Sequence, residues 1–260
     1  MRGIPVTHRS ASSRACCTAF VATMVLALVA GCSHRMQTAY TPPPPSIGTS
    51  YPAPSSGTYP ESRPSAGLSA DQEFVDSHSP IDTETGLASW YGPPYNNHAG
   101  ANGRIYDENL ISAANRTLPM DSLIKVTNLR TGESAVMRIT DRGPFVQGRI
   151  LDLSEGAAKA IGLWRAGVGE VRFDVYAAPE PLDSGGRWCV QIGAFSRLGP
   201  ARHLEERLQR DYRDANVIEF KGPTGFWVRI RPEDGSHSVA VAIVHRLHPS
   251  EGEAWLVRLD

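Results

Sequence analysis

Asp141 closes the run Arg138-Ile139-Thr140 and is followed by Arg142, Gly143 and Pro144. That places one carboxylate at the end of a strand. Aspartate before a Gly-Pro pair is ordinary turn chemistry. It is also a candidate acid–base group, because burial and neighbouring charge decide whether a carboxyl keeps its proton. Arg142 could hold the carboxylate ionised or contact a ligand; a surface ion pair is the plainer reading. Asp107 and Glu108 are further carboxylate candidates, against the plainer reading of solvated loop charge. Asp152 also ends a strand and reads as a turn or cap acceptor. His245 and His248 lack a third ligand at usable spacing, so no metal site is read there. There is no phosphate loop, Cys-x-x-Cys pair or serine-nucleophile motif, and no cofactor is expected.

The elements that must position these groups begin near residue 86. Strands are expected over 86–90, 112–113, 123–128, 134–140, 149–152 and 170–175, with one helix after Ser154, a good N-cap ahead of Glu155. Many short strands and one short helix predict a small closed β-barrel over residues 86–178. Residues 179–186 read as a linker. Residues 187–260 read as βαββαβ, a ferredoxin-like unit with one sheet face left free for binding. The fold class is therefore mainly β with an α+β second unit. Trp90-Tyr91-Gly92-Pro93-Pro94-Tyr95 is aromatic-rich, which suits stacking on sugar rings as well as it suits a core. In the second unit Phe226 and Trp227 face opposite sides of their strand.

The start of the chain has a different character. Arg2, Arg9 and Arg14 precede the apolar run from Ala19 to Ala30, and Gly31-Cys32 follow. A basic start, a short apolar stretch and small residues describe a secretory signal over 1–31. Cys32 after those small residues resembles the bacterial lipobox, which implies a lipidated first residue and a membrane attachment through it. Ser33 rather than Asp follows, which by that resemblance favours the periplasmic leaflet of an outer membrane. Residues 32–85, rich in Pro, Ser and Gly, read as an extended tether able to reach roughly 150 Å at ~3 Å per residue. Once the leader and Cys32 are set aside, Cys189 stands alone, so no intramolecular disulfide is available. It reads as a small buried hydrophobe. The formal net charge is -1, and about -4 without the three leader arginines, which is no nucleic-acid footprint. A polysaccharide fits better than a polyanion as partner.

Several runs occur in one order across about ninety residues: Gly86-Leu87-Ala88-Ser89-Trp90-Tyr91-Gly92, Ala101-Asn102-Gly103, Ala113-Ala114-Asn115-Arg116-Thr117-Leu118-Pro119, Val126-Thr127-Asn128-Leu129 and Asp141-Arg142-Gly143-Pro144-Phe145. Together they resemble the rare lipoprotein A family. The resemblance implies a double-psi β-barrel and endolytic cleavage of peptidoglycan strands stripped of stem peptides. The reaction it implies is lytic transglycosylation, in which the sugar's own hydroxymethyl oxygen attacks and a 1,6-anhydro ring forms. Trp188-Cys189-Val190-Gln191-Ile192-Gly193-Ala194-Phe195 resembles the sporulation-related repeat (SPOR) domain, which implies binding of the same denuded glycan at the division septum and the company of divisome proteins.

By that resemblance Asp141 is the candidate acid/base. Read from their own chemistry and strand positions, Tyr91, Arg142, Gln191, Phe195 and Trp227 are candidate glycan contacts. The chain departs from the family at two positions. Where the family has a Glu after Ala-x-Gly it has Arg104, and where the family has a His after Ala-Ala it has Asn115. Neither side chain titrates usefully near neutrality. The whole-chain resemblance favours glycan cleavage, whereas Arg104 and Asn115 favour non-catalytic glycan binding or expansin-like loosening of the wall.

Overall fold

The computed structural model describes residues 64–93, 95–219 and 225–260, with side chains from residue 70 onward. The expected leader, Cys32, the first part of the expected tether, Pro94 and residues 220–224 lie outside the described residues.

Six strands close a barrel: β1 (Asp82–Tyr91), β2 (Ser112–Ala114), β3 (Leu123–Asn128), β4 (Ser134–Asp141), β5 (Arg149–Ser154) and β6 (Val168–Ala177). Their order around the barrel is β1-β5-β2-β4-β3-β6. β1 with β5 and β2 with β4 run parallel; the remaining pairs are antiparallel. The apolar sides of the strands point inward. Ala88, Ile124, Val126, Ile139, Leu151 and Phe173 are fully buried, each large side chain contributing about 1.5–3 kcal/mol. Helix α1 (Pro64–Ser77) precedes the barrel, and α2 (Glu155–Ala160) starts where Ser154 Oγ accepts the Ala157 amide at 3.1 Å.

The tether expected over 32–85 is therefore structured at its C-terminal end. Val75 of α1 packs with Leu123 and Val136, and Asp71 takes two hydrogen bonds from Arg138 at 2.6 and 2.9 Å. β1 begins at Asp82 because the polar run Asp82–Thr85 pairs with β6 from Val175 to Arg172. Backbone pairing along an existing strand holds a segment that has no hydrophobic pattern of its own.

The second unit contains β7 (Trp188–Phe195), α3 (Leu198–Leu208), β8 (Asn216–Glu219), β9 (Phe226–Ile230), α4 (His237–Arg246) and β10 (Ala254–Arg258). The sheet order is β10-β7-β9-β8, with all neighbours antiparallel. This is the βαββαβ arrangement read from the sequence. One face carries Trp188, Val190, Ile192, Val228 and Ile230 against α3 and α4 residues such as Leu204 and Ile243.

The other face is covered, where the sequence predicts it free. Cys189, Trp227 and Val257 form one buried cluster with Phe145 of the barrel. The linker adds to this contact: Pro181 accepts a hydrogen bond from the buried Arg258 guanidinium at 2.7 Å, and Leu182 packs against the barrel core.

Candidate functional site

Asp141 is the last residue of β4, 6% exposed, and sits beside Ala114 of β2 after a register shift. Its Oδ1 accepts the Ala101 amide at 2.9 Å and the Arg142 amide at 2.8 Å. Burial pushes its carboxyl up to about 7, against the two amides and the Arg142 charge, which favour the ionised form; Asp152 adds a smaller upward push. Both protonation states are then populated near neutrality, the condition acid–base work requires.

Asp141 lines a cleft of about 170 Å³ together with Arg104, Ile105, Asp107, Leu110 and Thr140. That is smaller than the roughly 300–1,000 Å³ of an enclosing ligand pocket. The outer wall is the 100–111 loop. Gly100 bonds the Arg104 carbonyl at 2.8 Å, Asn102 bonds the Thr140 carbonyl at 3.3 Å, and the Tyr106 hydroxyl donates to the Tyr91 carbonyl at 2.7 Å. The Gly156 amide of α2 holds the Glu108 carbonyl at 2.8 Å.

The structure brings Asp141, Arg104 and Asp107 to one cleft and leaves the other candidates elsewhere. Asp107 is exposed, and its Oδ1 accepts the Asn109 backbone and side-chain amides. Glu108 is not on the cleft; its carboxylate meets Asn96 at 3.3 Å, and its Oε2 lies under Gly92. Asn115 is 4% exposed and serves a turn. Its Oδ1 accepts the amides of Thr117 and Leu118, both at 2.8 Å, and its Nδ2 donates to the Ile150 carbonyl at 3.1 Å.

The candidate glycan contacts are all buried. Tyr91 stacks on Tyr106 at 4.5 Å between centroids, inside a cluster with Tyr95 and Ala114. Its aromatic neighbourhood is core because the 95–106 loop folds over it. The Arg142 guanidinium is directed away from the cleft and donates to the carbonyls of Asn115, Leu118 and Asp260. Burial pulls it down to about 10, which leaves it a cation. Its backbone amide, not its charge, makes the direct contact to Asp141. Phe195 packs on the helix side of the second sheet. Gln191 and Trp227 lie on the covered face, Gln191 accepting from Arg229 at 2.6 Å.

Asp152 departs from the turn or cap reading. β5 continues to Ser154, and Asp152 is 1% exposed inside the strand. Ser89 Oγ donates to its Oδ1 at 2.5 Å and Arg149 lies at 3.4 Å. Burial raises its carboxyl, while Arg149, Ser89 and Arg116 oppose that.

The family model described as Lytic transglycolase matches residues 83–173, and the SPOR domain model matches 184–258. The endolytic peptidoglycan transglycosylase RlpA of Campylobacter jejuni subsp. jejuni is 32% identical over 189 residues, covering 62% of this chain and 69% of that protein. The chain belongs to the rare lipoprotein A (RlpA) family. The RlpA of Vibrio cholerae serotype O1 is 50% identical over 149 residues, covering 55% of this chain and 57% of that protein. A probable RlpA of Synechocystis sp. is 54% identical over 90 residues, covering 35% of this chain and 28% of that protein. The chain thus spans little more than half of the V. cholerae relative and under a third of the Synechocystis one. Its closed barrel is the double-psi barrel of this RlpA family, followed by a SPOR domain.

Within that frame sequence reasoning passed over Ser89 and Arg149, which hold Asp152, and over Phe145 as a contact. The Arg149-Ile150-Leu151-Asp152 spacing was a signal for the first group. Phe145 offered only its place in the Asp141 motif.

Proposed function

We propose that this chain cleaves stem-peptide-free peptidoglycan strands by lytic transglycosylation, with Asp141 as the acid/base. The observation that carries this reading is the Asp141 carboxyl itself. It is buried, pushed up to about 7 and held by two backbone amides, on a residue that lines a cleft at the end of β4.

One carboxyl suffices for the reaction. Two amides occupy Oδ1, so Oδ2 carries the proton. Protonated Asp141 gives that proton to the leaving glycosidic oxygen as the C1–O bond breaks. The carboxylate then accepts the proton of the C6 hydroxyl as O6 bonds to C1 and closes the 1,6-anhydro ring. No water enters, and Asp141 ends as it began, protonated. The backbone amides of Ala101 and Arg142 steady the charge between the two transfers.

A second reading is favoured by Arg104 and Asn115: a glycan-binding lipoprotein without turnover. Arg104 puts an exposed cation in the cleft where the family has a Glu, and Asn115 is committed to its turn. A strand freed of its peptide carries a lactyl carboxylate at each muramic residue, and the Arg104 guanidinium suits that group. In either reading Cys32 is the lipidated residue, the chain is held on the periplasmic face of the outer membrane, enriched at the septum, and divisome proteins are its neighbours.

The two readings separate on products. Incubation of the full chain with stem-peptide-free glycan and mass spectrometry gives anhydro-ended fragments under the first. Bound but uncut strands after long incubation support the second.

A further inference from the structure

The covered face of the SPOR sheet carries hydrogen-bond donors that its cover does not match. Gln191 Nε2, Trp227 Nε1 and Arg229 Nε are buried and have no protein acceptor. Gln191 and Arg229 are register partners on β7 and β9, and their single mutual bond is Arg229 Nη2 to Gln191 Oε1 at 2.6 Å. Among the described residues no carboxylate lies within ion-pair reach of Arg229, and burial pulls its guanidinium down. A buried donor without an acceptor forfeits its full hydration.

The cover is the loop that follows Asp141. Phe145 meets the Trp227 ring edge to face at 5.0 Å and Trp255 at 6.2 Å. The Arg116 guanidinium sits 4.8 Å over Trp255, and the Arg258 amide donates to the Arg116 carbonyl at 2.9 Å. Arg142 and the Met120 amide both donate to the Asp260 carbonyl. The aromatic half of the sheet face is thus matched by Phe145, and its polar half is left short of acceptors.

We propose that this face is a glycan seat held shut by the chain's own Arg142–Phe145 loop, so that a glycan strand entering the seat displaces Phe145 and frees the loop that follows Asp141. The proposal rests on the glycan-binding reading above, not on cleavage. Sugar rings stack on the tryptophans Phe145 now covers, and hydroxyl, acetamide and carboxylate oxygens supply the acceptors that Gln191, Trp227 and Arg229 lack. Because ligand and loop compete for one surface, the native affinity is reduced by the fraction of molecules that are open. By reciprocity, glycan in the seat biases the loop toward release.

The test uses the full chain and Phe145→Ala, with stem-peptide-free glycan as the probe. Phe145→Ala leaves every SPOR residue in place, and its expected effect is a rise in glycan affinity of about tenfold. The native chain alone gives a second reading: glycan should raise amide hydrogen exchange across residues 142–146 and lower it in β9. Equal affinity of native and variant, with exchange at 142–146 unchanged by glycan, overturns the closed seat while leaving glycan binding intact. Failure of both proteins to bind glycan overturns the proposal together with the binding reading.

Discussion

Asp141 and Asp152 lie on one rung of the barrel, each paired with Ala114 from opposite sides. Their Cα atoms are then roughly 10 Å apart, two strand spacings. Both carboxyls are buried and both are pushed upward. Their surroundings give them different work. Asp152 is tied to Ser89 and Arg149 and shut from solvent. Asp141 rests on two amides at the edge of a cleft.

The raised carboxyl of Asp141 makes the fold weaker at neutral pH than in mild acid. Unfolded, the group titrates near 3.8; folded, near 7. Between those values only the native state holds the proton, so stability falls as pH rises and levels off above about 7. The loss reaches at most about 4 kcal/mol. Urea unfolding at pH 4 and pH 8 should show this fall in the native chain and a much smaller one in Asp141→Asn.

Asn115 is worth more to the fold than to the reaction. Asn115→Ala removes the acceptor of the Thr117 and Leu118 amides and the donor to Ile150. The expected cost is about 2–3 kcal/mol. Equilibrium denaturation measures it, and a cost under ~0.5 kcal/mol would contradict the turn assignment.

Two glycines should respond in opposite proportion. A Cβ on Gly156 would lie 2.3 Å from the Asn109 carbonyl oxygen, so Gly156→Ala forces the cleft loop off α2. A loss above about 3 kcal/mol is expected. At Gly132, with φ +78° and nothing within 4 Å, Ala meets only backbone strain, costing about 1 kcal/mol. Thermal melts of the two variants side by side check the contrast.

The elements that were legible in the sequence are those with a strong local pattern. β3 and β4 are aliphatic runs joined by a turn, and both are found where the pattern puts them. Ser154 caps its helix as its position predicts. What escaped depends on distant partners. The α1 helix is held by Val75 and Asp71 against the barrel, and the polar start of β1 is held by β6. Asp141 was identifiable from its motif, but its burial was not, because the loop that supplies Ala101 lies forty residues earlier. The covering of Trp227 by Phe145 joins residues of two domains, and no local pattern encodes such a contact.

The most direct measurement of the acid/base role of Asp141 is the rate of 1,6-anhydro end formation on stem-peptide-free glycan, followed by mass spectrometry from pH 5 to 9. The native chain should form anhydro ends, with kcat/KM falling as pH rises through about 7 because the donor must hold its proton. Asp141→Asn should abolish the product while preserving glycan binding. Anhydro ends formed at the native rate by Asp141→Asn, or intact strands throughout with the native chain, would contradict the account.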